Sequence, residues 1–256
     1  ENVVRRLRDL KTVGVISEDD VTGITEIADP VGVVCGIVPT TNPTSTTIFK
    51  SLIALKTRNP IIFSFHPSAQ QCSAHAAQIV RDAAIAAGAP ENCIQWIEKP
   101  SMEGTSALMK HPGVATILAT GGNAMVEAAY SCGKPALGVG AGNVPAYVEK
   151  TANIQQAAHD IVMSKAFDNG MICASEQAVI ADKEIYKELV EEFKSYGVYF
   201  ANKKEKAMLE DFIFGVTANC ANCGGAKLNS AVVGKPAAWI AEQAGFKVPE
   251  KTNIII

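Results

Sequence analysis

The sequence lacks long apolar runs and any excess of positive charge. No apolar stretch among its 256 residues approaches the roughly 18 residues that a membrane-spanning helix needs. The formal net charge is −3, so no positive field attracts a nucleic-acid backbone or an anionic membrane. The opening residues Glu1–Arg6 also lack the pattern of a signal peptide. We therefore expect a cytoplasmic protein that binds neither nucleic acid nor membrane.

The sequence also lacks the cysteine pattern of a disulfide framework, because its seven cysteines are odd in number and irregularly spaced. Cys35 lies in an apolar run, and Cys72 and Cys132 lie in alanine-rich helical stretches, so we expect these three to be packing residues. Cys220 and Cys223 have the spacing of half a zinc site or of a redox pair. No second pair follows at ligand spacing. We therefore predict no metal site, with those two alternatives left open.

Apolar runs alternate with helical patterns over much of the first half of the chain. The predicted strands are Val31–Val38, Ile61–Phe65, Ile94–Ile97, Ala115–Ala119 and Ala136–Val139. The helical patterns between them are Thr44–Lys56, Ser68–Ala87, a segment that ends at Lys110, and Asn123–Ser131. Strands that are apolar throughout and joined by helices are typical of a parallel sheet covered on both faces. The sequence therefore predicts an α/β fold with a doubly wound parallel sheet of the kind that binds cofactors.

Loops follow the predicted strands directly and lead into the predicted helices. In doubly wound sheets, ligands bind beyond the carboxyl ends of the strands, where such loops meet helix N-termini. The loops in that position are Pro39–Asn42, Phe65–Ser68, Thr120–Asn123 and Gly138–Asn143. We predict that these loops bind the ligand.

The two ends of the chain depart from this alternation. The first thirty residues predict a polar hairpin with strands Lys11–Ile16 and Thr22–Ala28, which has no core of its own and needs a neighbour. Helical patterns recur after Tyr147, at Asn153–Phe167, Lys183–Tyr196, Lys203–Phe214 and Ala237–Gln243. The last residues, Asn253–Ile256, form an apolar strand pattern, and such a strand requires a sheet neighbour. We therefore expect the sequence to be a fragment of a longer protein.

Cys173 has the sequence surroundings of a thiol nucleophile, which needs partial exposure and donors aimed at the oxyanion that forms on attack. The glycine-containing loop Asp168–Gly170 precedes it by a few residues, and polar residues follow it. A buried cysteine would explain this segment equally well when it is considered alone.

Four motifs, in their order along the chain, resemble the successive motifs of the aldehyde dehydrogenase superfamily. They are Val38–Thr46 (VPTTNPTST), Ala119–Gly122 (ATGG), Gly138–Pro145 (GVGAGNVP) and Phe167–Gln177 (FDNGMICASEQ). More closely, they resemble the aldehyde dehydrogenase part of bifunctional aldehyde-alcohol dehydrogenases. The resemblance covers essentially the whole chain, and it implies an aldehyde dehydrogenase fold.

The resemblance implies that Cys173 attacks the aldehyde carbonyl and forms a thiohemiacetal. The side-chain N–H of Asn42 would hold the oxyanion together with the backbone N–H of Cys173, and donors of that kind contribute about 10²- to 10³-fold in rate. Without the family context, Asn42 before Pro43 would be interpreted as a turn residue.

The resemblance also implies the residues that bind the dinucleotide. Ile37–Asn42 would line the nicotinamide side, and the glycines would let the backbone approach the cofactor closely. Glycines of this kind are also common turn residues. The full implied set is Ile37, Val38, Pro39, Thr40, Thr41, Asn42, His66, Gly121, Gly122, Gly138 and Gly140. The sequence has no G-x-G-x-x-G fingerprint, which agrees with a superfamily that binds its dinucleotide without one.

The residues near His66 depart from the superfamily pattern. Hydrolytic members have a lysine before Pro-Ser and a glutamate after it on the adenosine ribose, whereas this sequence has His66 and Ala69 there. His66 is either a ribose contact or a plain loop histidine. Ala69 offers no carboxylate to repel the 2′-phosphate of NADP. We nevertheless expect NAD in preference to NADP.

Gly138 stands where hydrolytic members of the superfamily carry the glutamate that activates water. Such a base contributes roughly 10²- to 10⁴-fold, so its absence slows hydrolysis of the acyl-cysteine and leaves time for another thiol to react. The resemblance therefore implies an acetaldehyde dehydrogenase of the acylating kind, which converts acetaldehyde or a similar short aldehyde, CoA and NAD to acyl-CoA and NADH.

The predicted organisation has three parts: residues 1–30 form a hairpin for association, residues 31–150 bind the dinucleotide, and residues 151–256 begin a catalytic domain that is incomplete at its C-terminal end. Relatives associate through the hairpin, so a homo-oligomer is expected, and the full-length protein could form filaments. Two alternatives stay open. One is a hydrolytic or semialdehyde-type dehydrogenase of the same superfamily, and the other is an inactive fragment that retains only an assembly role.

Overall fold

The computed structural model describes residues 2–215 and 228–256. The chain divides into two compact units, Glu1–Ala141 and Gly142–Ile256. No helix among these described residues is both long and apolar enough to cross a membrane.

The first unit opens with a short helix and a hairpin. Helix α1 spans Asn2–Arg8, and strands β1 (Gly14–Asp19) and β2 (Ile24–Ala28) pair antiparallel. The hairpin agrees with the predicted one, although β1 begins later than expected because Gly14, at a left-handed φ of 77°, marks its start. Helix α1 was not predicted.

A parallel sheet of five strands forms the centre of the first unit, in the order β5-β4-β3-β6-β7. The strands are β3 (Val33–Val38), β4 (Ile61–Phe65), β5 (Ile94–Trp96), β6 (Val114–Thr120) and β7 (Ala136–Val139). The helices between them are α2 (Pro43–Lys56), α3 (Gln70–Ala86), α4 (Met102–Lys110) and α5 (Asn123–Tyr130). All four pairings of neighbouring strands are parallel, as the alternation of strands and helices predicts.

Both faces of the strands β3, β4 and β6 are largely buried, which explains why these strands are rich in apolar residues, whereas Leu137 and Val139 of the edge strand β7 are exposed. Alternate residues of β3 point to opposite faces: Val34 and Val38 belong to a core with residues of α2 and α3, and Cys35 and Ile37 belong to a second core with residues of α4 and α5. The doubly wound α/β fold is thereby confirmed.

Strand β3 lies between β4 and β6, so the direction in which successive strands are added to the sheet reverses at this point. The strands on one side of this point are β4 and β5, and the strand beyond β6 on the other side is β7. Such a reversal leaves a crevice beyond the carboxyl ends of the two central strands. The loops that begin after Val38 and after Thr120 start at this crevice.

The second unit has two short parallel strand pairs and four helices in its described part. Strand β8 (Val144–Val148) pairs with β9 (Glu176–Ala181), and β10 (Val198–Tyr199) pairs with β11 (Ile254–Ile255). The helices are α6 (Ile154–Ala166), α7 (Tyr186–Ser195), α8 (Lys203–Phe214) and α9 (Ala237–Ala244). The apolar core of this unit is formed mainly by residues of α6, α7 and the strands beside them.

Two features of the second unit differ from the sequence-based expectation. Strands β8 and β10 were not predicted, and β8 pairs with β9, so the division after Ala141 precedes the expected boundary at residue 150. The terminal apolar segment has a neighbour, since β11 pairs with β10. The functional labels of the three predicted parts stay predictions.

Candidate active site

Cys173 is exposed on a loop that follows the end of α6. A 3₁₀ turn, Phe167–Gly170, comes between the helix and the cysteine. Within it, Asp168 has a φ of 51°, Asn169 of 50° and Gly170 of 73°, so three consecutive residues are left-handed. Residues other than glycine adopt this conformation at a cost, and Asn and Asp tolerate it best among them. This turn ends α6 sharply before the loop that carries Cys173.

Side chains on both flanks hold the cysteine loop in place. Asn169 Nδ2 donates a hydrogen bond of 3.0 Å to the carbonyl oxygen of Gly234. Ser175 is 2% exposed, and both its backbone N–H and its hydroxyl donate to the carbonyl oxygen of Ile172, at 3.2 and 2.8 Å. These bonds close a tight turn with Cys173 inside it.

Lys165 reaches the same loop from the last turn of α6. Its ammonium group donates to Gln177 Oε1 at 3.3 Å and lies 3.5 Å from Ser175 Oγ. The lysine is therefore a positive charge on the segment that carries Cys173. Sequence reasoning missed it, because a lysine near a helix C-terminus is common for reasons unrelated to catalysis.

Gly142, in the motif Gly138–Pro145, lies against the motif Phe167–Gln177, which contains Cys173. A β-carbon at this position would lie 3.3 Å from the carbonyl oxygen of Cys173, so the missing side chain allows close approach of two backbone segments. Gly142 was not among the predicted site residues, which from this motif were Gly138 and Gly140.

Asn42 precedes helix α2, in which Pro43 occupies the first helical position. Its side chain makes no cap bond to the helix; instead Ser45 Oγ donates to Asn42 Oδ1 at 2.7 Å. Since the oxygen faces Ser45, the amide nitrogen faces away, and it has no hydrogen-bond partner among residues 2–215 and 228–256. The geometry therefore leaves Asn42 a free N–H donor, as an oxyanion ligand requires.

The other predicted cofactor residues fall into two groups. Ile37 and Val38 are buried at the end of β3, and Pro39, Thr40 and Thr41 form the half-buried loop that follows. Gly121 and Gly122 follow β6, and a β-carbon on Gly122 would meet nothing within 4 Å. The first unit thus places both loops at its central crevice.

Three remaining candidates have partners within the first unit. The Nδ1 atom of His66 accepts a hydrogen bond from the backbone N–H of Ser68 at 3.2 Å and so caps a 3₁₀ turn. A β-carbon on Gly140 would lie 2.8 Å from Asn123 Oδ1, and one on Gly138 would lie 2.6 Å from Val126 Cγ1. Internal packing therefore explains both glycines, and the cofactor roles of all three residues stay predictions.

Lys50 is a buried lysine at the crevice and was not among the predicted site residues. Its side chain is 4% exposed, and its Nζ donates to the carbonyl oxygens of Ile37 at 2.6 Å and Leu118 at 2.7 Å. Burial lowers the pKa of Lys50 to about 7. The amine thereby ties β3 to β6 next to both predicted cofactor loops.

Among the cysteines that the structure describes, Cys35 is excluded as a nucleophile. It is fully buried, and burial raises the pKa of its thiol to about 12. Cys220 and Cys223 lie outside the described residues. No cluster of three or more His, Cys, Asp or Glu side chains that could hold a metal ion occurs in the described part of the chain.

Comparison with known proteins places this geometry in a family. The aldehyde dehydrogenase family profile matches residues 2–208. An aldehyde-alcohol dehydrogenase of Streptococcus pneumoniae is 80% identical over 255 residues, which cover 100% of this chain and 29% of that protein. The chain therefore spans less than a third of the length of this relative.

Solved structures share the fold. An acetylating aldehyde dehydrogenase from Geobacillus thermoglucosidasius is 48% identical with a TM-score of 0.90, over 100% of this chain and 54% of that one. A propionaldehyde dehydrogenase from Rhodopseudomonas palustris, solved with bound CoA and an acylated cysteine, is 39% identical with a TM-score of 0.78, over 89% and 50% of the two chains. The resemblance that the four motifs indicated is confirmed, and the chain belongs to the aldehyde dehydrogenase family.

Proposed function

We propose that the protein to which this chain belongs oxidises a short aldehyde, with NAD and CoA, to acyl-CoA and NADH through an acyl group on Cys173. The observation that carries the proposal is the exposed Cys173, fixed in a tight turn by Ser175. A nucleophile must be accessible and held in one place, and this cysteine meets both requirements.

The first step forms a bond between the sulfur of Cys173 and the aldehyde carbon, and the carbonyl π electrons move to the oxygen. The backbone N–H of Cys173 and the free N–H of Asn42 donate to this oxyanion, as the family resemblance assigns. Because the donors act on charge that develops during attack, they lower the barrier more than they strengthen substrate binding.

In the second step the thiohemiacetal carbon loses its hydrogen with the bonding electron pair, and the oxyanion becomes the carbonyl of a thioester. NAD, when bound, supplies the acceptor for this hydride. The residues of the first unit fit such a group: a loop follows each central strand at the crevice, and Gly122 leaves open space above one of them.

In the third step the CoA thiolate attacks the thioester carbon, the bond to Cys173 breaks, and Cys173 leaves as a thiolate. Aldehyde, NAD⁺ and CoA thiol thus give acyl-CoA, NADH and a proton. A thiol is a stronger nucleophile than unassisted water near neutral pH, and glycine at position 138 supplies no base for water. The hydrolytic alternative is disfavoured for this reason.

Product analysis of the full-length enzyme tests the proposal. We expect acyl-CoA as the product, turnover that requires CoA, and loss of turnover in Cys173→Ala. Cys72→Ala is the matched control, since Cys72 is also exposed but lies on α3, and it should retain turnover. Rapid release of carboxylic acid without CoA would overturn the proposal in favour of the hydrolytic alternative.

Assembly through the hairpin is a second proposed role, favoured by the apolar side chains that the hairpin exposes. Val15, Ile24 and Ile27 are exposed, and Val21 at its tip is 95% exposed. Contacts with another copy would bury these side chains. Light scattering should show that Ile24→Lys with Ile27→Lys lowers the mass of the assembly, and an unchanged mass would contradict this role.

A cytoplasmic location is also proposed, supported by the free thiols of all five described cysteines.

A further inference from the structure

The side chain of Tyr130 binds both backbone groups of Gly138. The Tyr130 hydroxyl accepts a hydrogen bond of 2.9 Å from the Gly138 N–H and donates one of 3.4 Å to the Gly138 carbonyl oxygen. A phenol can donate one hydrogen bond while it accepts another, so both bonds can form together. The tyrosine is 56% exposed and is the last residue of α5.

Gly138 needs these partners because it lies on an edge strand. Among the strands that the structure describes, β7 pairs only with β6, and Val139 uses its carbonyl group for β6 by accepting from the Gly121 N–H. Neighbouring residues of a strand direct their backbone groups to opposite sides, so those of Gly138 face away from β6. The Tyr130 hydroxyl therefore takes the place of a missing strand neighbour.

Tyr130 and Val126 also fill the space that a side chain at position 138 would need. A β-carbon there would lie 2.6 Å from Val126 Cγ1, 2.8 Å from Tyr130 Cε2 and 3.1 Å from Tyr130 Cζ. The φ of Gly138 is not left-handed, so the backbone itself would accept another residue. Packing against α5, and not backbone conformation, is what requires glycine.

We propose that Tyr130 is a specificity-determining residue, which keeps a water-activating side chain out of position 138 and so reserves the acyl group on Cys173 for a thiol. This inference rests on the proposed acylating function, in which position 138 corresponds to the glutamate of hydrolytic relatives. A side chain at 138 must displace both Val126 Cγ1, which lies closest, and the tyrosine ring, and movement of the ring breaks both hydrogen bonds to the β7 edge. The acylating character then depends on the pair of residues and not on Gly138 alone.

Thermal unfolding of the full-length protein tests the packing half of the proposal. Gly138→Ala should lower the unfolding midpoint by about 5 °C, as expected for overpacking. In a Tyr130→Ala background the same change should cost measurably less, although the contact with Val126 Cγ1 at 2.6 Å remains. Gly122→Ala is the matched control for stability, because its β-carbon would meet nothing, and its midpoint should stay within about 1 °C of the parent. Equal costs of Gly138→Ala in both backgrounds would overturn the inference.

The rate of carboxylic acid release tests the part of the proposal that concerns specificity. With aldehyde and NAD and no CoA, Gly138→Glu combined with Tyr130→Ala should release carboxylic acid at least about tenfold faster than Gly138→Glu alone. Intact mass spectrometry of each variant verifies that Cys173 becomes acylated. An acylated double variant that releases no more acid than the single variant would overturn the role of Tyr130. Acid release by the unsubstituted enzyme would instead overturn the proposed function, so the two failures are distinguishable.

Discussion

The Nζ atom of Lys50 lies 2.6 Å from the carbonyl oxygen of Ile37, at the end of the strand from which the loop with Asn42 begins. Helix α2 begins directly after Asn42 and carries Lys50, so the proposed oxyanion donor lies at the start of the helix that holds the buried amine. An amine in this position stabilises the loop geometry only if its hydrogen bonds offset the cost of burying it.

The pKa of Lys50 predicts how stability depends on pH. Burial lowers this pKa from 10.5 to about 7, so between these values the unfolded chain binds a proton that the folded chain does not. Stability should therefore rise with pH from about 7, by at most about 1.4 kcal/mol per pH unit. Urea denaturation between pH 7 and 9 measures the slope, and Lys50→Met should flatten it.

Ionisation of the Cys35 thiol has the opposite effect on stability and sets the upper limit of the pH range in which stability rises. Burial raises the pKa of this thiol from 9.0 to about 12, so its contribution to stability is complete below pH 9 and is lost as the pH rises from 9 towards 12. Cys35→Ala should extend the rising limb beyond pH 9. A stability that does not change between pH 7 and 9 in the parent protein would show that Lys50 titrates at its ordinary pKa.

Replacing Asn42 should affect kcat far more than KM. Asn42→Ala removes the free N–H donor, and we expect kcat to fall about 10²-fold or more, because the bond strengthens as the oxyanion forms. Ser45→Ala leaves the amide in place and removes only the group that orients it, so its effect should be smaller. Steady-state kinetics of the full-length enzyme distinguish the two, and an effect of Asn42→Ala confined to KM would mean that the residue only positions substrate.

Acylation should protect Cys173 from alkylation. Cys173 and Cys72 are the exposed cysteines in the described ranges, so both should react with iodoacetamide before the buried Cys35 and Cys93. An acyl-CoA reverses the last step and acylates Cys173, so pre-incubation with it should block labelling at Cys173 and leave Cys72 reactive. Peptide mass spectrometry locates the labels. Protection of Cys72, or preferential labelling of Cys220 or Cys223, would contradict the assignment.

Asn169 should position the cysteine loop through its bond to Gly234. Asn169→Gly keeps the left-handed backbone and removes the bond, whereas Asn169→Ala removes the bond and adds a backbone cost of roughly 1–2 kcal/mol. We expect both variants to lower the unfolding midpoint, and alanine to lower it more than glycine. Equal midpoints for the two variants would show that the left-handed turn relaxes when its bond is lost.

Strands β3 to β6 of the parallel sheet were predictable because each is rich in apolar residues and is followed by a helical pattern. Ile61–Phe65 and Ala136–Val139 have the predicted bounds. Strand β10 was missed because its two residues become a strand only through pairing with β11, which lies far away in the sequence. Strand β8 contains Pro145, which argues against a strand when the sequence is considered alone.

The candidate site was predictable where motifs carry it and not where packing does. Cys173 and Asn42 follow from the motifs. Lys50 does not, since a lysine in a helical pattern is normally solvated, and only the fold shows that it lies beneath two carbonyl groups. The bond of Tyr130 to Gly138 joins a helix end to a strand edge, and no local pattern in the sequence encodes it.

The pairing of β10 with β11 sets the order in which the two units can fold during synthesis. The described five-stranded sheet of the first unit and its helices α2 to α5 all end before Ala141, so this unit can fold while later residues are still in the ribosome. The second unit cannot close its β10 edge until Ile254 and Ile255 have emerged. Until then, the nascent chain lacks the pairing that makes Val198–Tyr199 a strand and the packing of Ile254 on the apolar core of that unit, and we expect chaperones to bind there first.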